Sequence, residues 1–263
     1  ASTGSSGCDA CSAGSYCATT GLSAVSGPCA AGRYSSSAGL SASAQCSACP
    51  SGRYSGSTGL TGSAQCSACA VGRYATGSGL TLSSQCSACA AGRYGSSAGL
   101  SLSACTGACG VGEYSAAGAS VCTSCAVGTF QASTGSTSCE SCSVGSYCSS
   151  TGLSAVSGPC ATGRYSSTAG LSASAQCTAC AAGRYGSTEG TKDSTCTAAC
   201  DEGTYSSAGA SACTSCPAGR FEVSTGSSGC DLCSGGTEGA GCPRAFFYFG
   251  VHVLVGQEGI NWW

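Results

Sequence analysis

Methionine is absent from this chain of 263 residues, His252 is the one histidine, Asn261 is the one asparagine, and only 8 % of residues are charged. Each shortage excludes something. With a net charge of −2 and no basic cluster, nothing can hold a nucleic acid backbone. Catalysis at neutral pH usually recruits a histidine or a tuned carboxylate beside a nucleophile. Here the acids are scattered and His252 sits in the strand-like Val251-His252-Val253, where it reads as a packed or interface residue. The chain is therefore read as non-enzymatic and without a cofactor. Asn261 precedes Trp262, so there is no N-glycosylation sequon. The longest apolar run, from Ala245 to Gly250 and on to Val255, falls short of the ~20 residues of a membrane helix, and no transmembrane segment is expected. The start at Ala1 reads as a mature chain after signal-peptide removal, or as a fragment.

Large apolar side chains are scarce too. Leu, Ile, Val and Phe make up about a tenth of the residues, below the ~20 % that a self-supporting core needs. Backbone ordering costs roughly 1–2 kcal/mol per residue, and so few apolar groups cannot offset it. What the chain has instead is 27 cysteines and 43 glycines. Cysteine at this density makes a disulfide scaffold, and disulfides persist outside the cell or in the secretory lumen. Cross-links that shrink the unfolded ensemble are the main stabiliser available, each loop of ~15 residues contributing roughly 3 kcal/mol in the chain-entropy description.

Internal repetition dominates the remainder. CSACPSGRYSGSTGLTGSAQ from Cys46, CSACAVGRYATGSGLTLSSQ from Cys66 and CSACAAGRYGSSAGLSLSA from Cys86 repeat at 20 residues, followed by shorter variants at 105/109, 122/125 and 139/142. A larger duplication lies above this one: CDACSAGSYCATTGLSAVSGPCAAGRY from Cys8 returns as CESCSVGSYCSSTGLSAVSGPCATGRY from Cys139, 131 residues on. Farther along, Arg93 matches Arg184 and Cys105 matches Cys196 at an offset of 91, so the second array lacks two 20-residue units. A third copy opens at Cys230 and then departs from the pattern. These boundaries define a first array over 1–138, a second and shorter one over 139–241, and an apolar segment over 242–263. Loss of whole units implies modules that touch mainly their neighbours. Arg-Tyr-Ser suits a short strand, Gly59-Leu60 and Gly79-Leu80 suit turns, and no 3.6-residue apolar period exists. The fold class is a small disulfide-rich repeat protein, an elongated rod of short two-stranded β-hairpin modules with little helix.

The irregularities constrain the pairing. If the second cysteine of each pair bonds forward to the first of the next, the links are Cys49–Cys66, Cys69–Cys86, Cys89–Cys105, Cys109–Cys122 and Cys125–Cys139, then Cys160–Cys177, Cys180–Cys196, Cys200–Cys213 and Cys216–Cys230. Cys29 and Cys160 are second cysteines whose first partners are replaced by Ser26 and Ser157, which strands Cys11 and Cys142. In both copies an extra cysteine stands nearby, so Cys11–Cys17 and Cys142–Cys148 restore the count, Cys29–Cys46 continues the ladder and Cys233 can take Cys242. Thirteen bonds leave Cys8 unpaired. As a first cysteine its partner would lie upstream, in a region missing from this chain, or on another molecule; a free thiol is the third reading. Cys46-x2-Cys49-x16-Cys66-x2-Cys69 also satisfies zinc spacing. Against zinc, the compensated losses at Ser26 and Ser157 preserve pairs, whereas zinc needs sets of four.

Arg-Tyr recurs at 33/34, 53/54, 73/74, 93/94, 164/165 and 184/185. Each Tyr is expected to fill one module's miniature core with the Arg stem covering it. An exposed ladder reading a repetitive glycan is the sharper alternative, opposed by Glu113, Thr129 and Thr204 at the Arg position. Ser and Thr make up about three residues in ten, and such extracellular segments are O-glycosylated in other proteins. The candidate acceptors are Ser35, Ser36, Ser37, Ser149, Ser150 and Thr151. The tail breaks the pattern: Phe246, Phe247, Tyr248 and Phe249 concentrate large apolar surface, and Val251, Val253 and Val255 share a strand face. Such a segment is an assembly strand that adds to another subunit's edge, or else it caps its own last module. The partners expected are further copies of the chain, head to tail, and O-linked glycans.

The Cys-x-x-Cys-x-x-Gly-x-Tyr units over about residues 8–233 resemble the ephrin-receptor-like cysteine-rich repeats, similar in style to TNF-receptor and EGF-like modules. The resemblance implies a disulfide-bonded extracellular spacer or binding array, found in receptors, adhesins and surface proteins, and supplies no catalytic residues. With so little charge, the reading is a secreted or cell-surface structural subunit of a fibre, flagellar hair or coat. The alternative is a ligand- or glycan-binding ectodomain of a receptor or adhesin.

Overall fold

The computed structural model describes residues 9–233. Among these residues twelve two-stranded antiparallel hairpins follow one another, each strand two residues long, and four of the hairpin loops hold a single 3-10 turn. This is a small disulfide-rich repeat protein built of hairpin modules with little helix. Cys8, Cys242 and the apolar segment over 242–263 lie outside the described residues. The chain forms two compact units. One holds the described residues through Cys125 together with Gln131–Cys139; the other holds Ala126–Phe130 and the described residues from Glu140 onward.

One module shows how the sequence makes the hairpin. In Pro50-Ser51-Gly52-Arg53 the Arg53 amide donates to the Pro50 carbonyl at 3.1 Å, and Gly52 holds φ +78. That is the geometry of a type II turn, which needs a left-handed third residue. The turn launches Arg53–Tyr54, which pairs with Ser67–Ala68 in the register Arg53↔Ala68 and Tyr54↔Ser67. The return strand begins directly after Cys66, so the cysteine that closes the loop also sets the register. Arg33–Tyr34 with Ser47–Ala48 and Arg73–Tyr74 with Ser87–Ala88 repeat the design.

Strands of two residues cannot stand alone, and the module is completed by its successor. Tyr54 forms a parallel bridge with Leu80, and the Ser55 amide donates to the Leu80 carbonyl at 2.9 Å. The Gly52 amide donates to the Ala75 carbonyl at 2.8 Å, and the Gly79 amide donates back to the Cys49 carbonyl at 2.8 Å. Equivalent bridges join Tyr16 to Leu40, Tyr34 to Leu60, Tyr74 to Leu100, Tyr147 to Leu171 and Tyr165 to Thr191.

Contact does not stop at the neighbour. A Cβ built on Gly52 would collide with the carbonyl of Gly99, two modules on. Eight further left-handed glycines meet a glycine carbonyl 42 to 47 residues downstream in the same way, among them Gly14 with Gly59, Gly92 with Gly135, Gly128 with Gly170 and Gly183 with Gly226. Stacking is therefore broader than the nearest-neighbour scheme that loss of whole units implies. Backbone lies on backbone, and side-chain identity matters little to it.

The core is made of sulfur. Cys29, Cys49, Cys69, Cys89, Cys125, Cys142, Cys148, Cys160, Cys180 and Cys200 are fully buried, and Leu60 and Ala75 are the only apolar side chains other than cysteine buried among the described residues. Tyr34 packs on Cys49, Leu60 and Cys66; Tyr54 and Leu80 pack on Cys69, Ala75 and Cys86. Each of these tyrosines thus covers the disulfide of the following module rather than filling its own, and the tyrosines stay half-buried. The buried position is the one after it: Ser35, Ser55, Ala75, Ser115, Gln131, Ser166 and Ser206 are all below 7 % exposed.

Candidate functional site

Three sets of residues recur in both arrays: the disulfides, the Arg-Tyr strand, and the polar clips around it. Among the described residues twelve disulfides are present. The forward links are Cys29–Cys46, Cys49–Cys66, Cys69–Cys86, Cys89–Cys105, Cys109–Cys122, Cys125–Cys139, Cys160–Cys177, Cys180–Cys196, Cys200–Cys213 and Cys216–Cys230. Two short ones, Cys11–Cys17 and Cys142–Cys148, close over a separation of 6. Cys233 is disulfide-bonded as well. Cys46 and Cys49 belong to different bonds, and a sulfur in a disulfide is no thiolate ligand for zinc.

The short bonds have a structural logic. Cys17 occupies the position after tyrosine: its amide donates to the Leu40 carbonyl at 2.9 Å, just as the Ser35 amide donates to Leu60. Ser26 stands where the first cysteine of a pair belongs, its amide donating to the Tyr16 carbonyl and its Oγ accepting from the Ala18 amide at 2.8 Å. Ser157 accepts in the same way from Ser149 at 2.9 Å. The hydroxyl thus replaces the lost cross-link by a hydrogen bond, while the cysteine at the position after tyrosine, half-buried at Cys17 and buried at Cys148, takes over the stranded sulfur. Cys105 and Cys196 show a second adjustment. Thr106 and Thr197, not the cysteines, sit opposite the tyrosine carbonyl. Cys105 and Cys196 lie one residue upstream and reach Cys89 and Cys180 through a left-handed backbone at φ 54 and 53, the only non-glycine residues so placed among those described.

The arginines act inside their own loops. Nη1 of Arg33, Arg53, Arg73 and Arg164 donates to the carbonyl of the forward cysteine, Cys46, Cys66, Cys86 and Cys177, at 2.6 to 2.7 Å. Arg93 and Arg184 reach Ala104 and Thr195, and Arg220 reaches Cys230. The guanidinium ties the strand to the loop that the disulfide closes. In two of the loops whose bonded cysteines stand only 13 or 14 apart, Thr129 and Thr204 cap their own turn by donating to Ala126 and Asp201. A second clip escaped the sequence reading. Oε1 of Gln65 accepts from the Thr61 and Gly62 amides at 2.6 and 3.1 Å and from the Thr61 hydroxyl, and Gln45, Gln85 and Gln176 repeat this. The recurrence of Gln-Cys four residues after Ser or Thr was the signal that could have revealed it.

Ionisable groups are few. Asp193 is held below the usual carboxylate range by hydrogen bonds from the Thr195 hydroxyl and amide. Glu222 is lowered by the Ser224 amide and then by the Ser227 hydroxyl. Among the candidate sugar acceptors, Ser36, Ser37, Ser149, Ser150 and Thr151 are exposed. Ser35 is not: it is 5 % exposed and its Oγ donates to the Ser37 carbonyl, so its hydroxyl is taken. That corrects its place as an acceptor, because its position after tyrosine turns it inward. Phe246 to Phe249, Val251, Val253 and Val255, expected from the sequence to mediate assembly, lie outside the described residues. Among the described residues no helix is long and apolar enough to cross a membrane.

The geometry thus defines a class, a disulfide-rich array of self-similar hairpin modules. Two segments, 112–157 and 203–241, match the family described as tyrosine-protein kinase ephrin type A/B receptor-like. Over those two segments the chain is similar to ephrin-receptor-like cysteine-rich repeats, a kind of repeat that is not a catalytic domain and that suggests an extracellular or cell-surface setting. The two segments begin 91 residues apart, at equivalent glycines of the two arrays. No curated protein matches the chain.

Proposed function

We propose that the protein is a non-enzymatic structural subunit of an extracellular fibre, flagellar hair or cell-surface coat. It assembles with copies of itself through the apolar segment over 245–263, and it carries O-linked glycans on exposed hydroxyls such as Ser36, Ser37, Ser149, Ser150 and Thr151. The observation that carries the reading is how the repeat spends its chemistry. Guanidinium, amide and sulfur groups are turned on the array's own backbone and loops. The outward surface carries Ser, Gly and Ala with scattered Val and Leu side chains such as Val71 and Leu102, and few charges. A protein selected for a ligand would repeat side chains facing solvent; this one repeats those that hold modules together. The match to receptor-like repeats favours a second reading, an ectodomain of a receptor or adhesin.

Electron microscopy of the purified protein, intact and without residues 245–263, separates the two. Filaments that disappear with the tail support the first reading. A monomer that saturates with one ligand supports the second and sinks the first.

A further inference from the structure

One disulfide in each array differs from its neighbours in backbone and in access. Cys105 and Cys196 are equivalent cysteines 91 residues apart, bonded to Cys89 and Cys180. Both hold a left-handed backbone, at φ 54 and 53, which no other non-glycine residue holds among those described. A side chain in that conformation crowds its own carbonyl, and the crowding is relieved when the cross-link that imposes it opens. The forward cysteines of the regular modules, Cys46, Cys66, Cys86 and Cys177, are at most 2 % exposed, whereas Cys105 and Cys196 are half-buried. Their partners Cys89 and Cys180 are fully buried, so a nucleophile from solvent meets the forward sulfur of each bond.

The hairpin around each bond has other ties. The Thr106 amide donates to the Tyr94 carbonyl at 2.9 Å, and its Oγ1 accepts from the Ser96 amide at 2.9 Å. Thr197 makes the same two contacts with Tyr185 and Ser187. This is the clip that Ser26 and Ser157 use, in hairpins that stand with no disulfide to the return strand. Arg93 and Arg184 grip Ala104 and Thr195, the residues before the cysteines, where Arg53 grips the cysteine carbonyl itself. Both ties survive loss of the cross-link.

We propose that Cys105 and Cys196 are sites of reversible thiol exchange, each taking a small-molecule thiol as a mixed disulfide. The thiolate of the small molecule attacks Sγ of Cys105; a new S–S bond forms there and the bond to Cys89 breaks. The electron pair leaves with the Cys89 sulfur, which takes up the proton that the small thiol gave up. The small thiol is oxidised and Cys89 is reduced. Attack by Cys89 on the mixed disulfide expels the thiol and restores the original bond, so no further oxidant is needed. Cys196 and Cys180 run the same exchange. The site goes beyond the structural role above and does not rest on it.

Equilibration of the full oxidised chain in a graded series of glutathione, quenched by alkylation and read by peptide mapping, tests this. Glutathione is expected on Cys105 and Cys196 and the alkyl group on Cys89 and Cys180. The midpoint is expected at about tenfold less glutathione than for Cys69–Cys86 or Cys160–Cys177. Cys109–Cys122 and Cys125–Cys139 separate strain from access, because Cys122 and Cys139 are half-buried on a backbone without positive φ. Opening of those two at the midpoint of Cys89–Cys105, or glutathione on Cys89 in place of Cys105, overturns the inference. In Cys105→Ser with Thr106→Cys the first array is expected to lose its labile bond while Cys180–Cys196 keeps its own; equal lability of both arrays in that variant also overturns it. The order of opening in the wild type decides the question by itself if the variant does not fold. Amide hydrogen exchange of the glutathione adduct reads the hairpins: protection at Thr106 and Thr197 is expected to persist, and its loss counts against the site.

Discussion

The α-carbon of Gly52 lies against the carbonyl of Gly99, two modules away, with no side chain between them. Two requirements therefore converge on one glycine, a left-handed backbone and a surface with no Cβ. Gly52→Ala is expected to cost the ~1–3 kcal/mol of left-handed strain and a further cost for the lost close approach. Gly203→Ala, at a left-handed glycine with open space around it, is expected to cost the strain alone. Denaturant unfolding of the two variants checks the difference.

Replacing Arg53 by Ala removes the donor to the Cys66 carbonyl, and replacing Gln65 by Ala removes the acceptor that holds the Thr61 and Gly62 amides. Both clips are partly exposed, so each loss is expected to be about 1 kcal/mol. The gaps lie in adjacent segments of one loop, so the double variant is expected to be non-additive in a double-mutant cycle.

The short-bonded module should be convertible. Combining Cys17→Ser with Ser26→Cys restores the residues that Ser35 and Cys46 supply one module later. The double variant is expected to bond Cys11 to the cysteine introduced at position 26 and to keep its hairpin. Peptide mapping of the unreduced protein reads this directly, and a Cys11 recovered as a free thiol counts against the equivalence.

Cys105 reaches its partner only through a left-handed backbone. Moving the cysteine by one residue, Cys105→Ser with Thr106→Cys, is expected to link Cys89 to the cysteine introduced at position 106. The backbone then relaxes, and the module gains about 1 kcal/mol of stability. A fall in thermal midpoint would count against this account.

Asp193 and Glu222 are both lowered in the folded chain, so the sign of their pH dependence is fixed. Their contribution is complete above the ordinary carboxylate range, at about pH 4, and is lost as the pH falls through the lowered folded values. Asp193→Asn is expected to reduce the acid sensitivity of the thermal midpoint and to leave it unchanged in shape between about pH 5 and 8.

The hairpin modules and the scarcity of helix were legible in the sequence because each leaves a mark: Gly before Arg-Tyr, an even cysteine spacing, no 3.6-residue period. The stacking was not legible. A backbone-to-backbone contact asks only that Gly52 and Gly99 be glycine, and the turns already account for both. The buried site after tyrosine is nearly as silent, since Ser35, Ala75, Gly95 and Gln131 share little beyond their place. Tyr34 reads in sequence as the filling of its own module for a related reason. Spacing shows which residues recur, and it does not show which module each one covers.

Ten of the twelve disulfides among the described residues need chain that emerges 13 to 17 residues later, so each of those loops stays open until its forward cysteine has been made. Cys142 needs only Cys148, six residues on. During synthesis this module can complete its cross-link before the next one exists. A mispaired cysteine upstream therefore cannot shift the pairing of everything that follows. The short bond acts as punctuation in oxidative folding: the count of cysteines starts afresh at each array, and an error in one is confined to it.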